Sequence, residues 1–289
     1  MAQVRKVAIV GGARIPFARS NTAYTTQSNQ AMLTATLNGV VDKYQLHGER
    51  LGEVAAGAVL KHSRDFNLTR EAVLSSGLAP ETSAFDVQQA CGTGLEAAIA
   101  IGNKIALGQI DSGIAGGVDT TSDAPIAVND KLRKILLEAN RAKTTGQRLA
   151  ALAKFRPAML APATPTNGEP RTRKSMGQHC ELMAQEWGIS REDQDLLAFQ
   201  SHQKAATAYD SGFYSDLLVP FAGLTQDNNL RTNLTMDKLA SLGLAFDKTS
   251  GKGTLSAGNS TPLTDGASAV LLGSESWAKA HVLKVQAYL

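Results

Sequence analysis

Phe85-Asp-Val-Gln-Gln-Ala-Cys91-Gly-Thr-Gly-Leu-Glu-Ala-Ala98 is the stretch that decides the fold. Its first part, Ala84 to Gln88, reads as a buried strand. Its second part opens a helix, from about Gly92 to Gly108, in which Leu95, Ala98, Ile99, Gly102, Ile105 and Ala106 form one stripe. Ala97, Ala100 and Ile101 widen that stripe, so the helix is expected to lie buried between other elements. Cys91 sits at the junction of strand and helix. A sulfur placed there meets the N–H groups and the positive end of the helix dipole, which favour a thiolate. Ala90, Gly92 and Gly94 are small enough to let a carbonyl approach and to leave backbone donors for an oxyanion. The bland alternative is a buried cysteine packed as a small hydrophobe.

Working outward, strands and helices alternate. Val7-Ala-Ile-Val10 is a strand that Gly11-Gly12 is expected to end in a tight turn. The turn lacks the G-x-G-x-x-G spacing of a dinucleotide cradle. Asn29 to Tyr44 carries Met32, Leu33, Leu37, Val40 and Val41 at helical spacing. Val54–Leu60 reads as a strand, Asn67–Gly77 as a helix and Ser112–Val118 as a strand with glycines for close backbone approach. This is an α/β layer pattern. From about Thr120 the character changes to charged helices and polar loops. Asp130 to Arg156 carries eight basic residues and two acidic ones. Pro157 to Pro170 holds four prolines and reads as a loop. Ser190-Arg-Glu-Asp193 is a capping box for a helix to about Tyr209, with Leu196, Leu197 and Phe199 expected to be buried. The Gly- and Ala-rich pattern returns at Gly253 and ends in a strand through Leu272.

Composition narrows the classes. The chain has 289 residues, 43% apolar, with 29 basic and 26 acidic side chains, a net charge of +3. That balance, with only 5% aromatic residues, argues against nucleic-acid binding. Two cysteines and five scattered histidines exclude a disulfide scaffold and the common zinc spacings. No apolar run is long enough for a transmembrane segment. These features point to a soluble, cytoplasmic protein. The basic stretch 130–156 reads as a solvated helix face, or as an attractor for a ligand's phosphates, a partner subunit or an anionic membrane surface.

Four segments, in order, resemble the thiolase family. Gln88-Gln-Ala-Cys-Gly-Thr-Gly-Leu-Glu-Ala-Ala98 is similar to its nucleophile motif. Ala13-Arg-Ile-Pro-Phe17 resembles its N-terminal Arg-Thr-Pro turn, with Ile15 in place of Thr. Ser175-Met-Gly177, with Glu181 and Ser190–Asp195, resembles its Met-Gly helix and the helix after it. Ser256-Ala-Gly-Asn-Ser-Thr-Pro-Leu-Thr-Asp-Gly-Ala-Ser-Ala269 resembles its Ala-Gly-Asn-Ser and Asp-Gly-Ala signature, in the form nearest to 3-ketoacyl-CoA thiolases of fatty-acid β-oxidation.

The resemblance implies an α/β, thiolase-like layered fold: a mixed sheet with a buried central helix, interrupted by a mainly helical loop domain. The expected organisation is a first part of the N-terminal core over 1–119, the loop domain over 120–251, the last part of the core over 252–274, and the start of a C-terminal half over 275–289. It implies an acyl-CoA C-acyltransferase in which Cys91 forms an acyl-enzyme thioester. Acyl-CoA and coenzyme A would be substrates, with no cofactor bound permanently and no metal. Met176 would line the acyl and pantetheine channel, and Ser260 and Thr261 would face the pantetheine arm. By themselves Met176 reads as core filling and Ser260 and Thr261 as turn caps. A homo-oligomer (dimer or tetramer) and a β-oxidation partner subunit are further implications. The family's Gly-His-Pro and Cys-x-Gly-Gly-Gly motifs do not occur here, and Cys180, in Gln-His-Cys-Glu, matches no acid/base motif. Little turnover is therefore expected from these residues alone, and the C-terminal half of the family's core is expected to be missing. Two rivals stay open: a ketoacyl-synthase-like condensing enzyme, and a non-catalytic CoA- or lipid-binding or assembly subunit of the same fold.

Overall fold

In the computed structural model, residues 4–164 and 166–289 are described; the first three residues and Pro165, one of the four prolines of the expected loop, lie outside them. The elements run β1 (Val7–Arg14), β2 (Ala18–Arg19), α1 (Asn29–Tyr44), β3 (Glu53–Ala56), α2 (Leu68–Leu74), β4 (Ser83–Asp86), α3 (Thr93–Ala106) and β5 (Ser112–Asp119). After these come α4 (Asp130–Arg141), α5 (Thr145–Leu152), α6 (Met176–Glu186), α7 (Arg191–Asp210) and α8 (Met236–Ala240). The described chain closes with β6 (Thr264–Ser274), α9 (Glu275–Ala280) and β7 (Ala287–Tyr288). Two compact units result: residues 1–123 with 177–289, and residues 124–176.

The first unit is built on a mixed sheet of order β4-β3-β5-β6-β1-β7, with β2 paired to β6. β3 runs parallel to β4 and β5, whereas β6 is antiparallel to β5 and β1. Strand alternation sorts its two faces. Val54, Ala56, Ile114 and Leu271 pack with Met32, Leu33, Leu37 and Val40 of α1 and Val73 of α2. Ala55, Ala115 and Leu272 point the other way and pack with Ala97, Ile101 and Ile105 of α3. Helix α1 starts where expected because the Ser28 hydroxyl accepts from the Ala31 N–H at 3.1 Å, and it stops at Gln45, whose φ of 56° is left-handed.

Three expectations change. Gly11 and Gly12 do not turn the chain out of the sheet. β1 continues to Arg14 through a bulge between Ile9 and Gly11, and the Gly11 φ of 148° is one that side-chain-bearing residues rarely adopt. Helix α3 is buried on one side only: Ala97, Ile101 and Ile105 meet the sheet, while Leu95, Ile99 and Leu107 are exposed. In α7 the buried residue is Asp195, and Leu196 and Leu197 are exposed, because the inward stripe of that helix carries polar contacts.

The unit 124–176 is organised differently. Helices α4 and α5 are capped by Asn129 and Thr144, whose side chains accept from Lys131 and Gln147 N–H groups. Its buried apolar residues are Ile135, Ala139 and Ala151, while Ile126, Val128, Leu136, Leu149, Leu152 and Leu160 are exposed. Ala127 and Ala163 exchange backbone hydrogen bonds, and Pro157–Leu160 forms a short 3-10 turn inside the expected loop. No described helix is long and apolar enough to cross a membrane.

Candidate active site

Cys91 lies in a tight knot of backbone between β4 and α3. Val87 N–H bonds to Ala56 O at 2.8 Å, which carries the chain past the end of β3. Ala90 then takes a φ of 45°, a left-handed conformation that costs an L-residue about 1 kcal/mol. Gly92 N–H returns to Gln89 O at 2.9 Å and Thr93 N–H to Ala90 O at 3.2 Å. The close crossing demands a glycine at position 57, where a Cβ would stand 1.8 Å from Val87 O. The knot leaves Cys91 exposed at the mouth of α3. The Gly92 and Thr93 N–H groups are committed to the turn, so an oxyanion donor here has to come from another residue.

A cleft of about 510 Å³ opens beside the sulfur. Ala90, Cys91 and Gly94 line one wall, the β5 stretch Ala115–Asp119 and β6 line another, and Phe17 and Val59 complete it. Small residues on β5 and β6 give it depth. The Asp119 carboxylate accepts from Val59 N–H at 2.8 Å and Leu60 N–H at 2.9 Å. Burial pushes its carboxyl above the usual range, more than those two hydrogen bonds lower it.

Phe17 is held from behind. Arg14 is buried and forms a two-pronged pair with Asp227, at 2.6 and 2.9 Å. Asp227 Oδ1 also accepts from Phe17 N–H at 2.7 Å. Burial alone would raise Asp227, but the Arg14 hydrogen bonds, Phe17 N–H and the guanidinium charge outweigh it and hold the carboxyl below its ordinary value. The Arg14 guanidinium lies 4.6 Å from the Phe17 ring centroid.

The other expected residues lie elsewhere. Ser260 is half-buried and lines a separate, narrower cleft with Arg19, His202, Asn229 and Arg231; Thr261 is exposed next to it. That cleft continues past His202 and Arg231 into a groove along Phe199 and Thr207. His202 Nδ1 accepts from Arg231 N–H at 3.2 Å, and burial together with the Arg231 charge lowers its pKa. The loop bearing Ser260 is held by two buried carboxylates. Glu181 accepts from Thr254 N–H, Thr254 Oγ1 and Leu255 N–H, and Asp195 accepts from Asn259 Nδ2 at 2.9 Å. Met176 opens α6 and is 74% exposed, so it is not core filling. Cys180 is exposed four residues further on. Arg19, His202 and Arg231 carry no signal in the sequence, because each is a lone polar residue in a different segment. Among the described residues no cluster of His, Cys, Asp or Glu has metal-binding geometry.

Comparison with known proteins bears on the family and the fold. The family model for the thiolase N-terminal domain matches residues 7–276. The chain is 38% identical to a 3-ketoacyl-CoA thiolase of Citrobacter koseri over 290 aligned positions, covering 98% of this chain and 66% of that one. A 3-ketoacyl-CoA thiolase of Photorhabdus laumondii is 39% identical with the same coverage. The chain thus spans just under two thirds of the length of these relatives. Among solved structures, the fold superimposes on Bacillus anthracis acetyl-CoA acetyltransferase with a TM-score of 0.82, at 24% identity, over 100% of this chain and 70% of that one. Human mitochondrial 3-ketoacyl-CoA thiolase in complex with CoA gives a TM-score of 0.81, also at 24% identity, over 100% and 69%. The chain belongs to the thiolase family.

Proposed function

We propose that this chain carries the nucleophile of a 3-ketoacyl-CoA thiolase, and that Cys91 is that nucleophile. The Cys91 thiolate would add to the C3 carbonyl of a 3-ketoacyl-CoA. As the carbonyl re-forms, the C2–C3 bond breaks and its electron pair leaves with the acetyl-CoA carbanion, which takes up a proton. The remaining acyl group stays on Cys91 as a thioester. The sulfur of coenzyme A then attacks that thioester, an acyl-CoA departs and the Cys91 thiolate is regenerated. Running the steps backward gives Claisen condensation. No permanently bound cofactor enters these steps. The observation that carries the reading is the exposed Cys91 at the end of a left-handed turn, on the wall of a cleft large enough for an acyl chain.

The basic cleft beside Ser260 supports a place for coenzyme A. Arg19 and Arg231 supply positive charge, and Ser260 a hydroxyl, along one narrow cleft, the chemistry that a diphosphate calls for. His202, whose Nδ1 accepts the Arg231 N–H, has its Nε2–H left as a donor there. Thr261 and Met176 keep their implied roles along the pantetheine arm. Two free cysteines suit a reducing compartment such as the cytoplasm. The test is mass spectrometry after incubation with acetyl-CoA or a 3-ketoacyl-CoA. An acyl adduct on Cys91 that vanishes in Cys91→Ala is expected; an adduct on Cys180 instead would sink the assignment.

A further inference from the structure

We propose that Thr93 is a positioning residue for the Cys91 sulfur: its hydroxyl locks the left-handed turn that aims the thiol into the cleft. The inference rests on Cys91 being the nucleophile. It starts from the strain at Ala90. An alanine with φ of 45° returns to negative φ unless its surroundings hold it there. Two backbone hydrogen bonds close the turn, and the Thr93 side chain adds two more. Thr93 Oγ1 accepts from Gln89 N–H at 2.9 Å and donates to Ala90 O at 2.7 Å. One hydroxyl therefore grips the chain at the two residues before the cysteine.

Both ends of the threonine are used. The residue is 5% exposed, and its hydroxyl is taken up by these two partners. Its methyl faces Gly57, where an added Cβ would come within 3.0 Å of Cγ2. That methyl fixes the rotamer that puts Oγ1 between Gln89 and Ala90. Without the hydroxyl, the Gln89 N–H and the extra Ala90 carbonyl bond lose their partner. The turn then has less to hold it, and the peptides on either side of Cys91 rotate. The thiol swings away from the cleft wall while the helix behind it stays formed, because Glu96 N–H to Gly92 O at 2.9 Å begins α3 independently.

The experiment compares alkylation of Cys91 and Cys180 by iodoacetamide near neutral pH, read site by site by mass spectrometry in the purified protein. In the wild type Cys91 is expected to react faster. Thr93→Val, which keeps shape and removes the hydroxyl, should slow Cys91 by about tenfold, as expected when two hydrogen bonds to one turn are lost. Cys180 should not change. Thr93→Ser restores the hydroxyl and should bring Cys91 back to within about threefold of wild type. Should Thr93→Val fail to fold by circular dichroism, Thr93→Ala leaves room for a water at the Gln89 N–H and is expected to fold with the same loss at Cys91. A folded Val or Ala variant with wild-type reactivity at Cys91 overturns the proposal. So does a Ser variant as slow as Val. Equal rates for the two cysteines in the wild type would instead remove the nucleophile reading, and this one with it.

Discussion

The two compact units of this chain spend their residues in opposite ways. The unit containing the sheet buries long runs of Leu, Ile and Val on both faces of its strands. The unit 124–176 buries Ile135, Ala139 and Ala151 and leaves most of its large apolar side chains exposed. Charge divides the same way. Eleven of the 29 basic residues but only three of the 26 acidic ones fall in 124–176, giving it +8 and leaving the rest of the chain at −5. One region is stabilised by burial and the other by caps, local ion pairs such as Asp130 with Arg133 and Lys134, and little else. The lesson is that a net charge of +3 averages over two surfaces of opposite sign, so whole-chain composition understates what each can attract.

The comparison breaks most visibly on apolar truncation. Leu37→Ala should cost about 2–5 kcal/mol, because it empties a fully buried site. Leu149→Ala, at an exposed site in α5, should stay within about 0.5 kcal/mol of wild type. Urea midpoints decide it, and equal costs would mean the small unit has a core of its own. Charge gives the next contrast. Arg14→Ala leaves the half-buried Asp227 with the Phe17 N–H but without its ion partner and should cost about 3 kcal/mol. Lys154→Ala removes an exposed partner of Glu138 and should cost less than about 1 kcal/mol.

The Arg14–Asp227 pair also has a pH signature. Asp227 is held below its ordinary value of 3.8 in the fold. Its contribution is therefore complete above that value and is lost as the pH falls through the depressed one. Acid unfolding of Arg14→Ala should begin at higher pH than that of wild type; superimposable acid transitions would contradict the assignment. The smallest energies separate in proteolysis. Brief trypsin treatment should cut first at Lys143, Arg148, Lys154 or Arg171–Lys174, where little burial opposes local opening. First cuts in β3 or α1 would reverse the ranking of the two units.

Much of the fold was legible because its signals are local. Met32, Leu33, Leu37, Val40 and Val41 define α1 by spacing alone, and the Ser190 cap opens α7. Cys91 was legible for the same reason, since strand, cysteine and helix are adjacent in the chain. Where sequence reading failed, the deciding partner was distant. Gly11 looks like a turn until β6 is seen to run alongside it and β1 to continue through a bulge. The apolar stripe of α3 cannot say which of its sides meets the sheet. Leu196 and Leu197 looked buried because nothing local shows that Asp195 must face Asn259. Arg19, His202 and Arg231 come from three separated segments and share a cleft only in the folded chain. Thr93 carries no signal of its own in the sequence; its grip on Gln89 and Ala90 is a matter of turn geometry.

The Asp265 carboxylate, wholly buried in β6, accepts from the Thr121 and Ser122 N–H groups and from the Ser122 hydroxyl. Thr121 and Ser122 stand just before Asp123, where the chain leaves for 124–176, and Glu181 ties the first helix after its return to Thr254 and Leu255. Both stumps of the excursion are thus rooted in the large unit, each by a buried carboxyl side chain. For protein engineering, this makes residues 124–176 an exchangeable cassette, with Asp123 and Gly177 as the natural splice points. A graft from another thiolase would exchange a segment that carries a charge of +8.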